Sequence, residues 1–329
     1  NFEEIKRVLV VSVPRTFTLG SDNISAIFLL SFASSMTAGS IAIFNLSYNL
    51  QSVLLSIIGV SYSLAAFPML VRYFSDGDRG KFIEQTIISA QHIIFWSLPC
   101  AVLFITLRAQ IVRTILGAGV FNWSQTRLTA AALALFVGSI IFQNLTLLFV
   151  RAYYAAGNTK KPFWAKFINA VSTVVLGFGF IILYKTYPPF QHLLETLLRV
   201  TDVPGTIVLA LPLGWSVGEI LNSLALWFVF EKDFGGFSKP VLKTAIQVLC
   251  SSLVIGIVSY FSLNVFANVF DQNTVIGIFL QGFVSGVISI VAGIITLVLI
   301  KNKEILDVYQ TFRSKISKIK IFAPTQTSL

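Results

Sequence analysis

The chain has 329 residues, of which 55% are hydrophobic and only 12% charged, with a mean hydropathy of +0.82. A soluble domain carries about 25% charged residues, so the composition excludes an ordinary soluble fold. The net charge of +10 is scattered over loops between apolar stretches, which points to anionic lipid and argues against nucleic acid as a partner.

A bilayer core of roughly 30 Å takes about 20 apolar residues per helix. Stretches of that kind recur about eight times, at residues 8–33, 40–71, 82–107, 125–152, 162–184, 206–230, 242–267 and 274–300. The predicted fold class is therefore all-α: a polytopic transmembrane helix bundle. In the first span, Arg15, Thr18, Asp22 and Ser25 share one helical face. The second aligns Asn45, Asn49, Ser52, Ser56 and Ser63, and it is long enough that 41–50 is expected at the interface or beyond it. Between the third and fourth, the short apolar patch 111–116, followed by Gly117 and Gly119, predicts an interfacial or re-entrant segment. The fifth span carries Lys166, Asn169, Thr173 and Gly177 on one side, and the sixth carries Ser216, Glu219 and Ser223.

Such stripes are costly against lipid, so they should turn toward other helices or toward water. For Ser and Thr, hydrogen bonding between helices is the simpler reading. Arg15, Asp22 and Glu219 are ionisable at depth and need a partner or a role. Several polar stripes around one bundle imply a hydrated cavity, for which Arg15, Asp22, Asn45, Asn49, Ser52 and Glu219 are the candidate lining residues. Gly214 with Gly218, and Gly282 with Gly286, have the spacing that lets helices approach closely. Pro14, Pro68, Pro99 and Pro212 could kink their spans. The tail 301–320 places Ile305, Val308, Tyr309, Phe312, Ile316 and Ile319 on one stripe among basic residues, an amphipathic helix for an anionic leaflet.

Charge sets the orientation. If residues 1–7 are cytoplasmic, eighteen Lys and Arg fall on the cytoplasmic side and five on the other, with Arg15 inside the first span. The positive-inside rule then places both ends of the chain in the cytoplasm. No metal site is expected: Cys100 and Cys250 lie in separate apolar spans, and His92 and His192 lack ligand spacing. Phosphate loops and nucleophile triads are absent, so the chain reads as a non-enzyme without a cofactor.

Two stretches go beyond general membrane pattern. Residues 151–162 read RAYYAAGNTKKP, and 42–81 read AIFNLSYNLQSVLLSIIGVSYSLAAFPMLVRYFSDGDRGK. Together they resemble the lipid II flippase family (MurJ, also called MviN) of the MOP exporter superfamily. In that family a helix with a similar NYADRL…GV…LP.LSR run leads into a cytoplasmic loop, and a later helix ends RAFYALGDTKTP. The opening IKRVLVVSVPRTF is similar to the start of the family's seventh helix. LRAQIVRTILGAGVFN at 107–122 resembles its run between helices nine and ten.

The resemblance covers residues 5–230 and implies that the eight spans are family helices seven to fourteen. It implies a C-terminal six-helix lobe at 1–235, a two-helix lipid-groove hairpin at 236–300 and a basic cytoplasmic tail at 301–329. It carries the motif residues Arg151, Tyr154, Gly157, Thr159, Lys160 and Pro162. It further implies alternating-access flipping of a lipid-linked peptidoglycan precursor, of undecaprenyl-diphosphate type, across the bacterial inner membrane. The family's N-terminal lobe, the expected partner, is not in this sequence, and with no initiator Met the chain reads as a piece of something longer. Where the family has the cavity arginine of YADRL, this chain has Asn49, and Arg15 is the candidate to compensate. Some family members bind sodium between helices seven, eleven and twelve; the matching residues here are Asp22, Asn169 and Thr173, without an acidic ligand on the eleventh helix. Sodium or proton coupling is left open. The other readings are a different MOP exporter, such as a polysaccharide-lipid flippase or drug/cation antiporter, a membrane-embedded glycosyl- or acyltransferase, and a non-transporting scaffold.

Overall fold

The computed structural model describes residues 2–117, 123–272 and 274–306, without the side chains of 2–11, 13–15 and 19. Among the described residues every regular element is helical. The chain order is α1 (Phe2–Ser34), α2 (Ser40–Leu54), a π-helical turn (Leu55–Val60), α3 (Ser61–Ser75), α4 (Arg79–Thr106) and α5 (Arg108–Leu116). It continues with α6 (Trp123–Gly138), α7 (Ile140–Ala155), α8 (Lys160–Thr186), α9 (Pro188–Leu198), α10 (Ala210–Phe234), α11 (Ser238–Phe266) and α12 (Val275–Leu299). Six helical segments have the length and hydropathy of a membrane span, and α6 with α7 makes a seventh, bent by 42°. α1, with 33 residues, stands where the first span is expected.

The bend inside the fourth span falls at Gly138–Ser139, a pair that commonly breaks a helix. The Ser139 hydroxyl donates back to the Phe136 carbonyl at 2.9 Å and lies 3.2 Å from the Ser216 hydroxyl of α10. The sequence predicts a continuous span there; the structure breaks it without a proline. Short α5 occupies the predicted interfacial patch and packs against α6 and α12. The amphipathic stripe of the tail lies largely beyond residue 306, outside the described residues, as does Gly119.

α8 sits between α1 and α10, and glycines set the spacing. A Cβ at Gly214 would come within 2.6 Å of the Gly177 backbone, and one at Gly218 within 2.4 Å of the Thr173 hydroxyl. On its other side Gly177 accepts the Leu29 side chain of α1. Gly282 and Gly286 seat α12 against Gln110 and Leu107. α11 pairs with α12 and lies along α4, joined through Gln91 Nε2 to Thr244 (3.0 Å) and Thr106 to Ser259 (3.1 Å).

At one end of the bundle, α9 packs against α8, and a 3-10 turn (Thr206–Leu209) leads into α10. Buried Glu195 accepts hydrogen bonds from Tyr184 (2.6 Å), Thr206 (2.6 Å) and Gln191 (3.0 Å). Burial raises the pKa of its carboxyl, but these bonds outweigh that and hold it below the usual range.

Replacing Gly214 by Ala should lower the thermal stability of the detergent-solubilised protein by about 1–3 kcal/mol, the cost of overpacking a close interface. Gly179→Ala on the same α8 has open space around it and should leave stability unchanged or slightly raised. Equal effects from the two would show that α8 and α10 are not in backbone contact.

Candidate functional site

The polar stripes of the first, fifth and sixth spans converge. Asp22 of α1, Lys166 of α8 and Glu219 of α10 form one cluster in the body of the bundle. The Lys166 ammonium donates to both Asp22 oxygens, at 2.7 and 3.0 Å, and lies 3.7 Å from Glu219 Oε1. Asn169 Nδ2 donates to Glu219 at 2.6 Å, and the Thr173 hydroxyl is 3.5 Å from Asn169 Oδ1. The side chains of Lys166 and Glu219 are 5% and 3% exposed, whereas Asp22 is 35% exposed. Lys166 stands six residues into α8, roughly 9 Å along the helix at 1.5 Å per residue. Three ionisable groups at such depth are stable only in mutual contact.

This geometry bears on the sodium neighbourhood. Asp22, Asn169 and Thr173 do come together, but the charge held between the two carboxylates is Lys166's own ammonium. A metal cation beside it would meet like charge at hydrogen-bond distance, so this donor set as arranged does not fit sodium. Among the described residues no group of three or more His, Cys, Asp or Glu forms a metal site. The Arg15 side chain lies outside the described residues.

The stripe of the second span divides. Asn49 and Ser56 are exposed, and Asn45 and Ser52 are half-buried on the same side of α2. The inner face of α2 carries Ser47 and Gln51 instead, and Gln51 Oε1 accepts from Gln143 of α7 at 3.4 Å. Ser63, aligned with this stripe by α-helical spacing, is fully buried. The π-helical turn 55–60 is the reason: its wider winding shifts the phase, so residues after it no longer continue the face set before it.

That turn is also where the two sequence motifs meet. Arg151, first residue of RAYYAAGNTKKP, donates through Nη1 to the Val60 carbonyl at 2.8 Å and to the Ser63 hydroxyl at 2.6 Å. Gly59 lies against Asn144 of α7, where a Cβ would come within 2.2 Å of the Asn144 amide oxygen. Asn144 in turn donates to Ser97 of α4 at 2.7 Å. Beyond Arg151 the motif makes a tight turn. Gly157 has φ +71°, Asn158 Oδ1 accepts from the Lys161 backbone at 3.2 Å, and Pro162 sits in the first turn of α8, where no amide is needed. Thr159 precedes α8, Lys160 is exposed and Tyr154 is half-buried. Tyr153 and Lys161 both bind Asp233 at the end of α10, the tyrosine at 2.7 Å. The motif thus ties α7, α8 and α10 to the π-helical turn.

Sequence reading places Lys166 on a stripe but not in the cavity set. The signal that singles it out is its depth: a lysine two turns inside an apolar span needs an acid opposite, and Asp22 and Glu219 are the acids at matching depth.

Fold and site define a polytopic α-helical membrane protein with charge-paired helices and a polar strip on the outer face of α2. A family model described as "Lipid II flippase MurJ" matches residues 1–188, more than half of the chain, and the chain belongs to that family. A probable lipid II flippase MurJ of Thermotoga maritima is 26% identical over 216 residues, covering 59% of this chain and 45% of the relative. That of Bdellovibrio bacteriovorus is 29% identical over 159 residues, 48% of this chain and 30% of the relative. The lipid II flippase MurJ of Burkholderia cenocepacia is 22% identical over 264 residues, 79% of this chain and 46% of the relative. A solved structure, "Lipid II flippase MurJ, inward closed conformation", superposes with a TM-score of 0.66 at 20% identity, covering 94% of this chain and 56% of that one. The chain spans half or less of the length of these curated relatives.

Lys166→Met should destabilise the protein by about 3–5 kcal/mol, because it leaves Glu219 buried with no cation. Adding Glu219→Gln should recover part of that loss. Thermal unfolding of the two variants in detergent checks this, and a double variant no more stable than the single one would contradict the pairing.

Proposed function

We propose that this chain is one lobe and the lipid-groove hairpin of a flippase that carries a lipid-linked peptidoglycan precursor from the inner to the outer leaflet. In this reading 1–235 is the lobe, 236–300 the hairpin, and both ends of the chain face the cytoplasm. The observation that carries it is the outer face of α2. Asn45, Asn49, Ser52 and Ser56 form a polar strip on a surface otherwise studded with exposed apolar residues such as Val53 and Ile57. Against lipid that strip is unfavourable; against a hydrated cavity shared with a second lobe it is stable.

A diphosphate headgroup would meet amides and hydroxyls on this wall, at Asn45, Asn49 and Ser52. Asp22, the partly exposed member of the charge cluster, is a further hydrogen-bond acceptor in this reading. Glu219 then acts through Lys166 and Asn169 as a positioning residue. The polyprenyl chain would run along the apolar flanks of α11 and α12. The cluster of Asp22, Lys166 and Glu219 supplies an internal cation, so any ion coupling would act by releasing or recapturing Lys166. The motif residues 151–162 are the fixed cytoplasmic anchor of α7 and α8 about which a rocking lobe turns.

Depletion of the native flippase followed by complementation with the full-length gene tests this reading. Outer-leaflet lipid II should be restored. Failure to restore it, with normal expression and membrane insertion, would overturn the proposal.

A further inference from the structure

A cavity with a charged lining lies at the end of the bundle opposite the 151–162 turn, where α4, α5, α6 and α9 meet α11 and α12. It has a volume of about 610 Å³ and is bounded by the α4–α5 junction, the start of α6, the end of α9, the end of α11 and Gln281 of α12. Three guanidiniums line it, and they are not equivalent. Arg127 is neutralised by Asp202, at 2.6 and 2.7 Å, and also donates to the Arg199 carbonyl. Arg108 donates to the Leu198 carbonyl at 3.0 Å, and Arg199 reaches the Tyr260 hydroxyl at 3.4 Å while stacking over its ring at 5.7 Å. Neither Arg108 nor Arg199 forms an ion pair with a carboxylate among the described residues. Burial, and then the charge of Arg199, pull the Arg108 guanidinium below its ordinary pKa.

Two guanidiniums that repel each other in a half-buried cavity hold a standing excess of positive charge. The remaining wall sorts into amides (Gln110, Asn264) and apolar surface (Ile105, Leu263). Trp123 and Tyr260 line it as well, the aromatic pair expected at headgroup depth. Arg199 is held toward the cavity by a left-handed backbone (φ 59°) that ends α9. Guanidiniums match phosphate oxygens in a fork, amides serve ester and hydroxyl oxygens, and the apolar side accepts the start of an acyl chain.

We propose that this cavity binds the phosphate of an anionic membrane lipid headgroup, with Arg108 and Arg199 as the ligating residues. The site is separate from the α2 strip and does not rest on the flippase reading. A bound lipid would bridge the six-helix unit and the hairpin, since its phosphate touches α5 and the α9 end while its glycerol lies on α11.

The test is native mass spectrometry of the full-length protein in detergent with phosphatidylglycerol, phosphatidylcholine or inorganic phosphate as probe. The wild-type protein should retain phosphatidylglycerol in preference to phosphatidylcholine, and millimolar phosphate should not displace it. Arg199→Gln, which removes a charge without breaking a backbone bond, should weaken retention about tenfold or more, the value of one charge-assisted hydrogen bond. Arg108→Gln combined with it should abolish the preference. Equal retention by wild type and Arg199→Gln, with both folded by thermal unfolding, would overturn the site. Displacement by inorganic phosphate would overturn the lipid assignment and make free phosphate the ligand. Both results are read without a flipping assay, so they stand or fall apart from the transport reading.

Discussion

Everything in this bundle follows from one constraint: inside an apolar layer a polar side chain is stable only against another polar group or against water. The Lys166 ammonium is the sharpest case. It satisfies Asp22 of α1 directly and lies beside Glu219 of α10, so the helix that carries it must sit between those two. Glycine makes that position attainable, because Gly177, Gly214 and Gly218 let α8 and α10 approach at backbone distance. Charge pairing and close packing are therefore one feature: the interface that brings the backbones together also brings Lys166 to Glu219. Neither alone would hold the three helices at this spacing.

The same constraint explains why the two family motifs meet in space. The π-helical turn brings the Val60 carbonyl to where Arg151 and the Ser63 hydroxyl both donate to it. Its cost is repaid in orientation. Because the turn shifts the helical phase, α2 can present Asn49 outward while Ser63 of α3 faces inward to receive Arg151. A single span thus carries an outward polar face in one half and a buried anchor in the other. The RAYYAAGNTKKP segment is the anchor's other side, and Asp233, Tyr153 and Lys161 extend it to α10.

Much of this was legible in the sequence, because hydropathy and helical spacing are one-dimensional. The spans, the short interfacial helix and the stripes on α1, α8 and α10 all read directly from residue order. What could not be read was anything set by a partner. The break at Gly138–Ser139 carries no proline, and its hydroxyl becomes meaningful only beside Ser216. Ser63 left its predicted face because a π-helical turn has no clear composition signal. Arg108 and Arg199 carry no signal in residue order beyond their charge, since the cavity that gathers them is built from six separate helices. Helix α9, opening on Pro188 and Pro189, is too short to register as a span.

In the proposed reading, the polar strip on α2 faces water while the surrounding surface faces lipid. It is tested most directly by cysteine accessibility in the full-length protein within membranes, after Cys100 and Cys250, the two free thiols described, are replaced by Ala. Asn49→Cys should react with a membrane-impermeant maleimide, and Ile257→Cys, on the exposed apolar face of α11, should not. An unreactive Asn49→Cys in a protein that still inserts and folds would contradict the claim.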